Sequence, residues 1–90
     1  MGWGKMNLLE IQEKVVPQIR KLLNKEPEGI SLIEKNNEGW RVLCDVLDKK
    51  SIPETYDILK VFEFLTDKEA KITSFKLLKK IRRGDIGDSN

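Results

Sequence analysis

Histidine is absent from this 90-residue chain, and cysteine occurs only once, as Cys44. Histidine is the commonest general base and zinc ligand, so its absence removes the standard serine and cysteine triads and most zinc sites. A single cysteine forms no internal disulfide and no cysteine-based metal site. An enzyme would have to depend on carboxylates, lysine or tyrosine alone. We therefore expect no catalytic residues, no metal and no cofactor.

Long apolar runs are also missing. The uninterrupted apolar stretches are only two or three residues long, whereas a membrane helix needs roughly 20 apolar residues. The N-terminus lacks the apolar core of a signal peptide and soon turns acidic. These absences predict a cytoplasmic protein without a membrane segment.

Charge is plentiful but unevenly distributed. Charged residues make up 36% of the chain and hydrophobic residues 39%, which indicates one strongly solvated domain with a modest core. The net charge is +2, but five of the 17 basic side chains lie between residues 76 and 83, where no acidic residue occurs. All 15 acidic side chains lie outside that segment. The sequence therefore joins an acidic body to one basic terminal segment.

The first predicted element is an amphipathic helix. Asn7 and Glu10 have the spacing of a capping box, in which each side chain accepts a hydrogen bond from the other residue's backbone N–H. Apolar residues then recur at spacings of three and four, which is the helical period. Pro17 lies inside this stripe and removes one backbone donor. We therefore expect a kink or two short helices, ending before Pro27.

From Gly29 onward the apolar period changes from helical to alternating. Ile30 to Ile33 form a short predicted strand, and Asn36 to Gly39 have the composition of a turn. In the next predicted strand the side chains alternate between two faces. One face carries Trp40, Val42, Cys44 and Val46, and the other carries Arg41, Leu43, Asp45 and Leu47.

Two further strands complete the predicted sheet. The segment 58–65 is rich in aromatic and β-branched residues and predicts a third strand, after a loop fixed by Pro53. The segment 72–83 fits a helix, with apolar residues three apart, and also a strand, with lysines directed outward. We favour the strand, because a short turn containing Asp67 precedes it, as in a hairpin.

The expected fold is therefore α+β: an N-terminal helix packed on one face of a four-stranded antiparallel meander sheet. We expect a single domain over residues 6–83, a flexible N-terminus over 1–5 and a disordered tail over 84–90. The predicted core residues are Trp40, Val42, Val46, Phe62 and Phe64. The other sheet face is predicted to carry many apolar groups, so we expect a partner to cover part of it. This apolar set is Leu43, Leu47, Leu59, Val61 and Leu65.

Several short motifs follow one another in the central part of the chain. Gly-Trp-Arg-Val opens a strand at Gly39, Ile-Pro-Glu-Thr forms a loop from Ile52, and Asp57 begins a strand that leads to a turn at Asp67. The terminal basic run comes next. In this order, over residues 29–83, the motifs resemble those of the gas vesicle protein O family. The chain departs from that pattern by Asp45 and Asp48 for glutamates, Phe62 and Ile81 for tyrosines, Ala70 for a turn glycine, and lysines for several arginines.

The resemblance implies a non-catalytic accessory protein of gas vesicle formation, which acts by contacting other gas vesicle proteins, in the cytoplasm or on the vesicle. We expect the contacts on the sheet face away from the helix and on the basic segment. On that face Arg41 and Asp45 either pair with each other or contact a partner. Self-association is left open. The predicted partner-binding residues are Arg41, Leu43, Asp45, Leu47, Lys76, Lys79, Lys80, Arg82 and Arg83.

The basic segment also supports a second hypothesis, a small nucleic-acid-binding module. Five cations within eight residues suffice electrostatically for a phosphate-binding stripe. Against it, the isoelectric point of 8.7 lies below the value of about 9 expected of a dedicated binder. Aromatic residues are also sparse near the segment, and only Phe75, which directly precedes it, is available to stack on a base. The nucleic-acid hypothesis ranks second, and a lysine-protected edge strand is the simplest explanation.

Overall fold

The structure is a computed structural model that describes residues 6–85. The N-terminal residues 1–5, expected to be flexible, lie outside the described residues, as do residues 86–90 of the expected tail. Gly84 and Asp85 belong instead to a short 3-10 turn, Arg83–Asp85.

The N-terminal helix, α1, spans Leu8–Leu23. The predicted capping box is confirmed, since the Glu10 N–H donates to the Asn7 side chain at 2.9 Å and the Asn7 N–H donates to the Glu10 carboxylate at 3.0 Å. Pro17 lies within one continuous helix, so the expectation of two short helices is wrong. The proline lies on the exposed side of α1. Asn24 ends the helix in the left-handed conformation, with φ of 57°.

Four antiparallel strands follow in the order β1-β2-β3-β4, which confirms the predicted α+β fold. Their bounds are Pro27–Lys35, Trp40–Lys49, Ile58–Thr66 and Ile72–Arg82. The first strand is longer than the predicted segment of four residues. The ambiguous last segment is a strand, as favoured, and it pairs with β3 along its length. Thus β1 and β4 are the two edge strands.

The helix packs on one face of this sheet, here called the helix-covered face. The β2 side chains alternate in burial as expected, and Trp40, Val42, Cys44 and Val46 contact α1 through Ile11, Val15 and Ile19 in one cluster of buried residues. Phe64 is also fully buried in this cluster, whereas Phe62 packs against it and is only partly buried. The opposite face, here called the open face, carries Arg41, Leu43, Asp45 and Leu47, with their cross-strand neighbours Leu65, Glu63, Val61 and Leu59.

Gly39 allows two turns to approach each other closely. A Cβ atom at this position would lie 2.5 Å from the carbonyl carbon of Asp67 and even closer to the carbonyl oxygen of Thr66. The neighbouring Trp40 N–H donates to the Thr66 hydroxyl at 3.2 Å, which fixes the same approach. The glycine before Trp40 is therefore required by packing between the β1–β2 and β3–β4 turns.

A glutamine joins α1 to the β3–β4 turn. The side-chain amide of Gln18 donates to the carbonyl of Ala70 at 2.8 Å and accepts from the N–H of Ile72 at 2.8 Å. Ala70 itself is buried and has a φ of 67°, a conformation that favours glycine. These bonds fix the helix at one end of the sheet, near the turn that leads into β4.

Candidate protein-binding surface

A row of charged side chains crosses all four strands of the open face. The Arg41 guanidinium bonds the Glu63 carboxylate at 2.5 Å and the Glu34 carboxylate at 3.2 Å, and Lys76 lies 3.8 Å from the other oxygen of Glu63. The two carboxylates raise the pKa of Arg41, chiefly through the hydrogen bond that Arg41 donates to Glu63. Arg41 therefore pairs with residues on β1 and β3, and the alternative in which it pairs with Asp45 is not what the structure shows.

The apolar residues of the open face are more buried than the sequence suggested. Leu59 is 1% exposed and Val61 4%, while Leu43 and Leu47 are half-buried. In the cross-strand register, Leu59 lies between Leu47 and Ile81. The chain itself thus covers Leu59 and Val61, so these two residues give no reason to expect a partner.

Arg83 closes one end of this face. Its backbone N–H donates to the Asp57 carbonyl at 2.8 Å, and its guanidinium bonds the Asp57 carboxylate at 3.1 Å and the Glu28 carboxylate at 2.9 Å. The outer strands of a flat four-stranded sheet lie about 14 Å apart. Contact between Glu28 on β1 and Arg83 after β4 therefore requires the end of β4 to bend towards β1. Arg83, predicted to bind a partner, holds the fold together here.

The carboxylate that Arg83 meets is buried. Asp57 is 2% exposed, and its carboxylate also accepts a hydrogen bond from the Ser51 N–H at 2.6 Å. The Ser51 N–H, and secondarily Arg83, lower the pKa of Asp57 below its ordinary value, against the effect of burial. The charged form of Asp57 is therefore the one that the folded chain stabilises.

Asp45 differs from the other open-face carboxylates. Burial, and next the nearby carboxylate of Glu28, raise the pKa of Asp45, and the ammonium of Lys79 opposes this shift. Within residues 6–85 the Asp45 side chain has no direct ion pair. Asp45 and Lys79 lie in one cross-strand row, separated by Val61.

The basic segment is largely neutralised by the chain itself. Lys76 lies against Glu63, and Lys80 lies 3.6 Å from the Asp48 carboxylate, which Lys60 approaches from the other side at 3.5 Å. Arg83 is held by Asp57 and Glu28, and the Arg82 guanidinium lies 5.8 Å from the ring centre of Tyr56. Of the five cations, Lys79 alone has neither a hydrogen bond nor an ion pair nor a ring contact with the described residues.

The most exposed apolar side chains of the sheet lie on β4. Phe75 is 41% exposed, Leu77 44% and Leu78 40%; we call these three residues the β4 patch. In the register, Phe75 pairs with Phe64 and Leu77 with Phe62, so both lie on the helix-covered face, beyond the part that α1 buries. The Phe75 ring stacks on Phe64 with centroids 5.3 Å apart. The sequence prediction missed this patch, because periodicity does not show how far a helix extends across a sheet.

Metal-ligating clusters, the thiol and helix length are the remaining features of the described residues. They contain no group of three or more histidine, cysteine, aspartate or glutamate side chains that could hold a metal ion. Cys44 is fully buried, and burial raises its thiol pKa to about 12, which leaves it unreactive. Over residues 6–85, no helix is both long and apolar enough to cross a membrane.

Comparison with known proteins identifies the family. The family model described as gas vesicle synthesis protein GvpO matches residues 3–87 of the chain. The chain belongs to the GvpO family. It is 37% identical over 65 residues to gas vesicle protein O1 of Halobacterium salinarum, which covers 72% of this chain and 55% of that relative. It is 33% identical over 82 residues to gas vesicle protein O of Haloferax mediterranei, which covers 90% of this chain and 59% of that relative.

A third GvpO relative comes from a different group of organisms. Gas vesicle protein O of Streptomyces sp. is 25% identical over 67 residues, which covers 74% of this chain and 52% of that relative. The chain thus spans only about half to three-fifths of the length of the curated relatives it matches. No solved structure matches the chain at a significant level.

Proposed function

We propose that this chain is a non-catalytic accessory protein of gas vesicle formation, and that it acts in the cytoplasm by binding other gas vesicle proteins. The observation that carries this proposal is the β4 patch. Three large apolar residues within four positions are each at least 40% exposed. They lie on the same strand as Lys79, which forms no ion pair or hydrogen bond with the described residues. Exposed apolar groups concentrated in this way are typical of interaction sites.

The open face, on the opposite side of the sheet from Phe75 and Leu77, is a second candidate contact surface. Leu43 and Leu47 are half-buried there, and Lys76 and Lys79 of β4 point to that side. A partner that contacts Lys76 and Lys79 on this side and extends across β3 to β2, about 10 Å away, also reaches the two leucines. Arg41 and Arg83 each form ion pairs with two carboxylates of the chain. We therefore infer that these two residues position the surface and do not contact the partner through a free guanidinium.

The nucleic-acid hypothesis loses support from the same geometry. Phosphate binding depends on cations that release counterions when they meet the backbone. Lys76, Lys80 and Arg83 already face carboxylates, so each would have to exchange an internal ion pair for a phosphate. The β4 patch, which lies among these cations, would also make no favourable contact with a phosphate backbone.

A pull-down from cells that co-express a gas vesicle gene cluster tests the proposal. The tagged chain is purified with and without nuclease, and co-purifying proteins are identified by mass spectrometry. We expect other gas vesicle proteins to co-purify and to remain bound after nuclease treatment. Recovery of nucleic acid alone, or loss of every protein after nuclease treatment, would contradict the proposal.

Two folded variants then test the open face. Leu43→Lys places an ammonium opposite Glu63, its cross-strand neighbour, so the strand pairing is preserved while the apolar contact is removed. Ser31→Lys changes an exposed position on β1 and is the matched control. We expect Leu43→Lys to reduce co-purification and Ser31→Lys to leave it unchanged, with unaltered circular dichroism in both variants.

A further inference from the structure

We propose that β4 binds its partner by strand addition, and that the partner supplies an extended segment in which acidic residues alternate with apolar ones. This inference rests on the proposed function and states the chemistry of the partner. A strand added to the edge of a sheet gains affinity from backbone hydrogen bonds and specificity from alternating side chains. The backbone edge and the alternating side chains of β4 could supply these two contributions.

The backbone edge of β4 is open over most of its length. The strand spans Ile72–Arg82 and pairs with β3 on one side, whereas no strand of the described chain lies on its other side. All residues from 73 to 80 are exposed. The Ile72 N–H is bonded to Gln18, and a 3-10 turn begins at Arg83, so the free edge lies between these two points. This leaves room for about eight residues of an added strand.

The side chains of β4 are sorted by face. Phe75 and Leu77 lie on the helix-covered face, whereas Lys76 and Lys79 lie on the open face. An irregularity in pairing at Leu78 lies between Leu77 and Lys79. Neighbouring strands bring same-face side chains within about 5 Å of each other. A fifth strand would therefore place apolar residues beside Phe75 and Leu77, and acidic residues beside Lys76 and Lys79.

The charge of the edge excludes a second β4 as the added strand. The strand carries four cations and no acidic residue, so antiparallel pairing of two copies would bring like charges together. The other edge, β1, is acidic, but its Glu28 and Glu34 are already bonded to Arg83 and Arg41. An acidic segment from a different protein is the occupant that the charges favour.

Lysines on an edge strand often serve only to prevent aggregation. That explanation accounts for Lys79 but not for the β4 patch, since a strand protected against pairing would carry polar residues on its exposed flank. Here the apolar layer of the helix-covered face continues through Phe62 to Phe75, and no element within residues 6–85 covers Phe75. An added strand would extend this layer by its own apolar side chains.

Photo-crosslinking locates the contact. The full chain, with benzoylphenylalanine at position 75 or, as a control, at position 9 on α1, is co-expressed with the gas vesicle gene cluster. Leu9 is 63% exposed, so both positions are accessible. We expect position 75 to crosslink to a segment of a gas vesicle protein that has net negative charge and alternating apolar residues, and position 9 to give no such product.

Hydrogen exchange of the purified complex tests the mode of binding. Strand addition predicts slowed exchange at alternate backbone amides between residues 73 and 80, those whose N–H points away from β3. A helix or a nucleic acid that contacts only the side chains would leave these amides unprotected. Lys79→Glu should weaken binding about tenfold, because like charges would then face each other. Lys21→Glu, an exposed change on α1, is the control and should change affinity less than twofold.

The outcomes separate this inference from the proposed function. If gas vesicle proteins co-purify but crosslink from other positions, or if the β4 amides exchange as in the free chain, strand addition is wrong and the accessory function stands. A crosslink from position 75 to a second copy, to nucleic acid or to a basic segment also overturns it. If no gas vesicle protein co-purifies, both proposals fail together.

Discussion

Replacing Gly39 by alanine should destabilise the fold severely. The added Cβ would lie 2.5 Å or less from backbone atoms of Thr66 and Asp67, whereas ordinary contacts begin at 3.4 Å. Relief requires the two turns to separate by about 1 Å, which would stretch the bond between Trp40 N–H and the Thr66 hydroxyl, now 3.2 Å long. Overpacking of this kind costs about 3 kcal/mol when neither neighbour is a flexible side chain.

Chemical denaturation measures this cost, and the chain provides its own control. Gly29 has no atom within 4 Å of its hypothetical Cβ, so Gly29→Ala should change the free energy of unfolding by less than about 1 kcal/mol. Gly39→Ala should lower the denaturation midpoint strongly, and the melting temperature by more than about 12 °C. Equal stability of the two variants would refute the close approach of the β1–β2 and β3–β4 turns.

Three further predictions concern the interior. Gln18→Ala should lower the free energy of unfolding by about 1–3 kcal/mol, because the Ala70 carbonyl and the Ile72 N–H lose their partner. Gln12→Ala, at an exposed position on the same helix, is the control. Equal denaturation midpoints for the two variants would contradict the helix–turn contact. Asp57→Asn should destabilise the chain at pH 7, and the difference in unfolding free energy from wild type should shrink as pH falls below about 4. The reason is that folding lowers the pKa of Asp57, so the stabilisation by its charged form is lost when the carboxylate is protonated. A pH-independent difference in urea midpoints would argue against a charged Asp57. Cys44 should resist a thiol reagent at pH 8 in the folded chain and react fully in denaturant, and stoichiometric labelling of the folded chain would show that it is accessible.

Local patterns predicted the elements of this fold well. The spacing of Asn7 and Glu10 is sufficient to locate the helix start, and the alternation from Trp40 to Leu47 assigns both faces of β2. Both signals depend on neighbours in sequence, and the structure preserves them. Of the two alternatives expected at Pro17, two short helices is wrong, because a proline on the exposed side of a packed helix costs one hydrogen bond without ending the helix.

The candidate surface was less predictable, because it depends on contacts between distant residues. Leu59 and Val61 were assigned to a surface that needs a partner, yet the curvature of the sheet and its edge contacts bury them. The Arg83 guanidinium bonds the carboxylate of Glu28, 55 residues earlier in the sequence, and no local pattern indicates this ion pair. The position of α1 across the sheet leaves Phe75 and Leu77 exposed, and this position is likewise decided by tertiary packing.

Complementation in a gas-vesicle-producing host tests the central claim most directly. A host that lacks this chain is supplied with the wild-type chain, Leu77→Thr combined with Lys79→Glu, or the control Lys21→Glu, at equal protein levels. We expect the wild type and the control to restore vesicles, and the β4 double variant, although folded, to leave the host without them. Full restoration by the double variant, or normal vesicle formation in the host without the chain, would contradict it.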